Sequence, residues 1–242
     1  MRLIFAMTTL FMTSLLHASD ASDTTDAGWV ILFDGSSMDA WREYNRDVVT
    51  GGWKVEQGML TVLSTEQEAE LALAVGESKP TKREARQRQN LITKEKFGAF
   101  ELQLEFKVTP GANSGVMYHV VETDGPPHTT GPEIQIQDNS GGHDPQKCGW
   151  LYQLYAAKTD AVNPTGQWNR LQIRVTPEKC VHTLNGVKYV EYVKGSDDWN
   201  AKVAASKFAK WDGFGEADRG HICLQDHGDE VSYRNIRIRP LD

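Results

Sequence analysis

Alternating hydrophobic and polar residues are the dominant pattern in this chain. From 100 to 108, Phe, Leu, Leu, Phe and Val occupy every second position, and Glu, Gln, Glu and Lys lie between them. The same alternation recurs at 171–176 and 236–239. Because successive side chains of a strand point to opposite faces, this pattern predicts half-buried β-strands. Further candidate strands are 29–33, 53–55, 59–63, 116–121, 133–137, 150–155, 180–184, 187–193 and 221–225.

The residues between these segments are typical of tight turns. Gln57-Gly58 separates two candidate strands, and Asn185-Gly186 is a strong signal for a two-residue hairpin. About a dozen short strands joined in this way predict an all-β, jelly-roll-like β-sandwich. Since no internal repeat or linker interrupts the pattern, we expect one domain from about 27 to 242.

One segment, 197–210, departs from the alternation and predicts a short helix between strands. Asp197 is a candidate cap, and Trp199, Val203 and Phe208 can pack along one side. Its place between strands is typical of a lid or an edge cover.

The first 18 residues predict a secretory signal peptide. Arg2 precedes an apolar run at 3–16, and small residues follow it. The alternative, a membrane anchor, needs about 20 apolar residues, and this run is shorter. We therefore expect export, with no transmembrane segment in the mature chain.

Composition and charge exclude some classes of protein. Hydrophobic residues make up 39% of the chain, too many for a disordered protein. The formal charge of −7 argues against a general nucleic-acid binder.

The segment 78–89 carries five Lys or Arg, which indicates a solvated loop or short exposed helix, with a patch for an anionic partner as the alternative. Cys148, Cys180 and Cys223 leave room for one disulfide in an exported chain, and the sequence does not select the pair.

A cluster of polar residues marks the candidate site. Glu133, Gln135 and Gln137 alternate with isoleucines, so they share one face of a strand, and Asp138 follows. Four polar residues on neighbouring candidate strands could join them on one concave surface: His119, Gln225, His227 and Arg234. Carboxylates and amides are suited to sugar hydroxyls. The alternatives are an ordinary water-facing strand, and for Asp138 a role in organising the following loop.

Aromatic side chains near this cluster could stack against sugar rings. The candidates are Trp150, Tyr152, Tyr118 and Trp168. The alternative for each is a place in the core of a wide sandwich.

Several segments resemble, in order, the motifs of a known family. The opening one contains Phe33-Asp34-Gly35 and ends at Trp41, and the segment at 133–138 reads Glu-Ile-Gln-Ile-Gln-Asp. The others are 53–60, 97–106, 113–116, 167–169, 184–186, 220–228 and 234–236. Together they resemble the 3-keto-disaccharide hydrolase domain family over nearly all of the mature chain. Two positions depart from it: His119, where many members have Arg, and Gly98-Ala99, where an Asp is common.

The resemblance implies a concanavalin A-like jelly roll, export to the periplasm or the cell exterior of a bacterium, and action on glycosides whose C3 hydroxyl has been oxidised to a ketone. A 3-keto group acidifies the C2 proton, so a base can remove it and the enolate can expel the C1 substituent before water adds. We expect Glu133 to be the base and His227 the acid. Gln135, Gln225, Arg234 and His119 would hold hydroxyls or the enolate oxygen.

Two alternatives to this mechanism stay open from the sequence. A divalent metal bound by Glu133, His119 and His227 could stabilise the enolate instead. A lectin-like, non-catalytic carbohydrate-binding domain would use the same fold, aromatic residues and amides.

Overall fold

In a computed structural model, the structure describes residues 28–78 and 89–242 as two β-sheets packed face to face. This confirms the predicted all-β jelly-roll sandwich. The predicted signal peptide at 1–18 and most of the basic segment at 78–89 lie outside the described residues.

The larger sheet has eight strands in the order β11-β10-β9-β6-β13-β4-β3, with β1 pairing against β13. All of its pairings are antiparallel. Its strands are β1 (Val30–Phe33), β3 (Trp53–Glu56), β4 (Met59–Val62), β6 (Phe100–Val108), β9 (Asn169–Val175), β10 (Cys180–Leu184), β11 (Val187–Tyr192) and β13 (Val231–Pro240).

The smaller sheet has five strands in the order β2-β5-β12-β7-β8. They are β2 (Trp41–Glu43), β5 (Leu91–Thr93), β7 (Asn113–Val120), β8 (Glu133–Gln137) and β12 (His221–Leu224). The short strands β2 and β5 carry too few residues for alternation to reveal them, and the sequence did not predict them.

The main core lies between the sheets, and alternation explains it. In β6 the apolar positions are buried and the polar ones are partly exposed, as predicted. The smaller sheet supplies Ile134 and Ile136 from β8 and Ile222 and Leu224 from β12 to the same core. Met117, Cys223, Ile92 and Val120 form a separate buried cluster. This cluster shows that the five-stranded sheet has a second face, directed away from the other sheet.

Helices are few in the described part of the chain. Helix α1 (Thr65–Ala74) was not predicted, and it begins with a capping box between Ser64 and Gln67. Helix α2 (Asp197–Ala204) and a 3-10 turn (Lys207–Lys210) occupy the predicted helical segment. The cap of α2 is Ser196 instead of Asp197, because the Ser196 side chain accepts from the Trp199 amide.

The structure differs from the sequence prediction at one candidate strand and decides the state of the cysteines. The segment 150–155 is not a strand: it forms turns with isolated bridges from Leu151 to Ile134 and Tyr155. All three cysteines are buried and free, so no disulfide joins them. Within the described residues, no helix has the length and apolar character needed to cross a membrane.

Candidate active site

The candidate site lies on the face of the five-stranded sheet that is directed away from the main core. Strand register places Glu133 opposite Met117, and Met117 opposite Cys223. One step along, Gln135 is opposite Gly115. Since paired residues point to the same side of a sheet, Glu133 and Gln135 share this surface with the apolar Met117 and Cys223. We call it the site face.

Gly115 makes room for the Glu133 side chain. A Cβ atom at position 115 would lie 2.3 Å from Glu133 Oε1 and 2.9 Å from its Cδ. The carboxyl group therefore lies directly over the Gly115 backbone. From there it accepts a hydrogen bond from the side chain of Gln225. The glycine of the Asn113-Ser114-Gly115 motif thus leaves the space that the Glu133 carboxyl group occupies.

The environment of Glu133 changes its acidity. The residue is 6% exposed, and burial raises its pKa from 4.5 to about 8. Lys207 and the Gln225 hydrogen bond act in the opposite direction, whereas Asp144 raises the pKa further. Burial dominates because the neighbouring sheet positions are apolar. At neutral pH the group is therefore mostly a neutral carboxylic acid, and once ionised it is a stronger base than an ordinary carboxylate.

Amide side chains extend the site face beside Glu133. The Gln225 backbone amide donates to Gly115 O at 2.9 Å, which fixes the residue beyond the end of β12. Gln225 is 9% exposed, and its Oε1 is buried without a hydrogen-bond partner among the described residues. Gln135 Nε2 donates to Asn113 Oδ1 at 3.2 Å. A free buried acceptor next to a carboxyl group is ready to receive a hydroxyl from a ligand.

A loop and the 3-10 turn place three more polar groups next to Glu133. The Tyr152 amide donates to Glu133 O at 2.8 Å, and its hydroxyl donates to Asp144 Oδ2 at 2.7 Å. Lys207 Nζ lies 4.3 Å from the centre of the Tyr152 ring. Tyr152 was a predicted stacking residue. Asp144 and Lys207 were not predicted, because they lie in loops where no periodicity marks a shared surface.

The predicted acid, His227, lies just beyond β12 and is exposed over 53% of its side chain. Its Nδ1 is 3.9 Å from Asp229 Oδ2. Burial lowers the pKa of His128 to about 4, and the charges of Lys207, Lys210 and His227 contribute. His227 is exposed and follows two residues after Gln225, whose side chain is hydrogen-bonded to Glu133, so His227 lies at the rim of the site face.

Comparison with known proteins shows the family of this chain. Residues 28–239 match the model of the 3-keto-alpha-glucoside-1,2-lyase-like domain. The chain belongs to this family. The identification made from the motifs is therefore confirmed. A 3-keto-disaccharide hydrolase from Bacteroides thetaiotaomicron is 31% identical, and the match covers 89% of this chain and 79% of that protein. This relationship also confirms the interpretation of the chain as a hydrolase.

Solved structures support the fold of the lyase-like domain. A candidate glycosyl hydrolase from Parabacteroides distasonis has a TM-score of 0.75 and 28% identity, covering 89% of this chain and 94% of that one. A second such protein from the same organism has a TM-score of 0.60 and 27% identity, covering 88% of this chain and 99% of that one.

Within this lyase-like domain, His119 is not on the site face, contrary to the prediction. Met117 and Val120 both face the second cluster, so the alternation breaks between them. His119 has a φ of 52°, and the pairing of β7 with β12 shifts register there. The imidazole is 3% exposed, and its Nε2 lies 2.8 Å from Gly98 O. The bulge has turned this side chain toward the edge of the sandwich.

Arg234 is also misplaced by the prediction. It belongs to β13 of the eight-stranded sheet, where its Nε donates to Glu105 Oε2 at 2.6 Å. Its guanidinium lies 4.0 Å from the centre of the Trp168 ring. Its neighbour Tyr233 points into the core, so Arg234 points to the outer side of the other sheet. Neither Arg234 nor Trp168 lies on the site face.

Asp138 organises a loop, which was the alternative to a binding role. It accepts hydrogen bonds from the Gly111 amide, from the Ser140 amide and hydroxyl, and from the Thr165 hydroxyl. Burial would raise its pKa, but these bonds outweigh burial and lower it.

Trp150 accepts from the Gln135 amide through its carbonyl, and its ring packs against the main core. Tyr118 is fully buried in that core.

The predicted metal-binding set does not assemble. His119 is directed toward Gly98, whereas Glu133 and His227 belong to the site face and its rim. In the parts of the chain that the structure describes, no three His, Cys, Asp or Glu side chains come together as a metal site.

Proposed function

We propose that this chain cleaves glycosides that carry a ketone at C3, by elimination across C1 and C2 followed by addition of water. The observation that carries the proposal is the buried Glu133 carboxyl, which lies over Gly115 with a pKa of about 8. The name of the matched family describes a 1,2-lyase, and the Bacteroides relative is named for a 3-keto-disaccharide substrate. Both names support this substrate class.

In the first step, Glu133 takes the C2 proton. The C–H electron pair forms a C2–C3 double bond, and the carbonyl pair moves to the C3 oxygen as an enolate. The enolate then restores the ketone while a C1–C2 double bond forms and the C1–O bond breaks. The leaving oxygen takes a proton. Water finally adds its hydroxyl to C1 and its hydrogen to C2, which completes a net hydrolysis.

The acidity of Glu133 is suited to this step. A C2 proton beside a ketone is a weak acid, so a base gains efficiency as its own pKa rises toward that of the substrate. With a pKa of about 8, about one molecule in ten carries the carboxylate at pH 7. An ordinary glutamate would be fully ionised but thousands of times less basic.

The remaining roles follow from position. Gln225 and Gln135 flank Glu133 on the site face, so we assign them to sugar hydroxyls. The free Oε1 of Gln225 is the acceptor for one of these hydroxyls. His227, at the rim, is our candidate for protonating the leaving oxygen. We further propose that the chain is exported, on the basis of the apolar N-terminal segment.

The test uses a chromogenic 3-keto-glucoside and its unoxidised parent, with and without a chelator. We expect release from the keto compound only. Glu133→Gln should lower turnover at least 10²-fold, since general base catalysis contributes about 10²–10⁴. Glu70→Gln on the exposed side of α1 is the matched control. Undiminished turnover by Glu133→Gln would remove this residue from catalysis, and release from neither compound would favour the carbohydrate-binding alternative.

A further inference from the structure

Lys207 is held firmly beside the site face. It opens the 3-10 turn (Lys207–Lys210), whose first residues are fixed by Ser206 accepting from the Phe208 amide at 3.1 Å. Phe208 is buried and stacks on Phe214 with ring centres 3.9 Å apart. The Lys207 amide donates to Gln153 Oε1 at 3.3 Å. The turn therefore has little freedom, and the side chain of Lys207 starts from a fixed point.

The ammonium group of Lys207 has aromatic neighbours instead of an acidic partner. Its Nζ lies 4.3 Å from the ring centre of Tyr152 and 5.4 Å from that of Phe208. Among the residues that the structure describes, no carboxylate oxygen lies within 4 Å of Nζ and no hydrogen bond from Nζ is formed. Lys207 is exposed, and an aromatic face attracts its charge without accepting its three N–H donors, so these remain available to a ligand.

The charge of Lys207 nevertheless reaches the catalytic carboxyl. Burial raises the pKa of Glu133, and the charge of Lys207 acts to lower it. Burial lowers the pKa of Lys207, and the charges of Glu133 and Asp144 act to raise it. Tyr152 links the two residues, because its ring lies 4.3 Å from Lys207 Nζ and its amide donates to Glu133 O at 2.8 Å. A ligand over Gly115 would therefore lie near both an acid–base group and a cation.

The proposed reaction needs a positive donor at this place. Removing the C2 proton puts negative charge on the C3 oxygen, and fixed donors aimed at developing charge are a large source of catalysis. His119 and Arg234, two of the side chains predicted to hold hydroxyls or the enolate oxygen, lie elsewhere. We propose that Lys207 Nζ binds the C3 oxygen of the substrate and stabilises the enolate. This inference rests on the proposed function.

The test compares Lys207→Met with Lys210→Met on the chromogenic 3-keto-glucoside. Both replacements remove an ammonium from the same turn and keep an unbranched chain, and Lys210 lies over Trp211. Loss of an oxyanion donor typically lowers kcat about 10²–10³-fold. We expect that loss in kcat for Lys207→Met, with KM changed much less, and we expect Lys210→Met to stay within about threefold of wild type. Lys207→Arg should recover part of the activity.

Exchange of the C2 proton in D₂O gives a readout that a purely structural role would not move. We expect Lys207→Met to slow exchange as much as turnover, with unchanged thermal unfolding. If wild type cleaves the substrate and Lys207→Met does so equally fast, the inference is wrong and the proposed function stands. Equal losses in the two lysine variants would also overturn it. If wild type neither cleaves nor exchanges, the proposed function itself fails.

Discussion

The buried Glu133 carboxyl should make the stability of this protein depend on pH. The group has a folded-state pKa of about 8 against 4.5 for a free glutamate. Below pH 4.5 both states are protonated, so the group adds no penalty. Above pH 8 both states are ionised, and the folded state carries the full penalty of a buried charge. Between these values the folded state holds a proton that the unfolded state has lost, so the free energy of unfolding falls as pH rises.

The size of this effect follows from the pKa values. At about 1.4 kcal/mol per pH unit, the change from 4.5 to about 8 corresponds to roughly 5 kcal/mol. Glu133→Gln keeps the shape of the side chain and removes its titration. The variant should therefore gain stability relative to wild type as pH rises, by roughly 4 kcal/mol between pH 4.5 and pH 8, because the carboxyl is half ionised in the unfolded state at the lower pH and in the folded state at the upper pH. Any constant effect of the amide cancels in this difference.

The assay is equilibrium urea unfolding of both proteins at several pH values from 4.5 to 8.5, with free energies extrapolated to water. Glu70→Gln is the control, because its side chain is exposed on α1. The control should follow wild type at every pH. A constant offset between Glu133→Gln and wild type across the range, within about 1 kcal/mol, would refute a buried, protonated Glu133.

Four other predictions follow from the same structure. If Glu133 is the base, kcat/KM should rise with pH and level off above about pH 8, and a fall over that range in the pH–rate profile would contradict the assignment. Gly115→Ala should lower turnover at least tenfold because its Cβ would displace the Glu133 carboxyl, whereas unchanged kinetics would refute the close contact. Arg234→Ala should leave kcat and KM within about twofold, with a stability change of about 0.2–1 kcal/mol in urea unfolding. Asp138→Ala should lower the free energy of unfolding by about 1–3 kcal/mol without a change in KM, because several hydrogen-bond donors lose their acceptor.

The fold was predictable because burial of one strand face imposes a period of two on the sequence. This holds for β6, where buried and half-buried residues alternate over nine positions. The segment 150–155 shows where the argument fails. Its aromatic residues resemble a strand, but Gln153 has a φ of 60° and the chain turns there. Helix α1 was missed because it buries no residue, so no apolar periodicity marks it.

The site was predictable within single strands, and of the residues predicted on other strands Gln225 joins Glu133. Glu133 and Gln135 share a face because they are two positions apart, and this holds in the structure. Alternation from Met117 predicts that His119 also lies on the site face, and this is wrong. The positive φ of His119 interrupts the alternation, so that Val120 and not His119 faces the same side as Met117. Arg234 fails for another reason. Alternation says which residues share a face, but it does not say which of two sheets a strand joins.

The arrangement around Glu133 opposes stability, and this is the strongest reason to regard it as functional. Its neighbours Met117 and Cys223 are fully buried apolar residues, and an apolar side chain at position 133 would extend their cluster without any charge penalty. Instead the sheet holds a carboxyl group there, and the residue opposite Gln135 is a glycine, whose missing side chain makes room for that group. The Oε1 atom of Gln225 is buried without a hydrogen-bond partner among the described residues. Each of these features weakens the fold, and one ligand that brings a hydroxyl and an acidic C–H bond would satisfy them together.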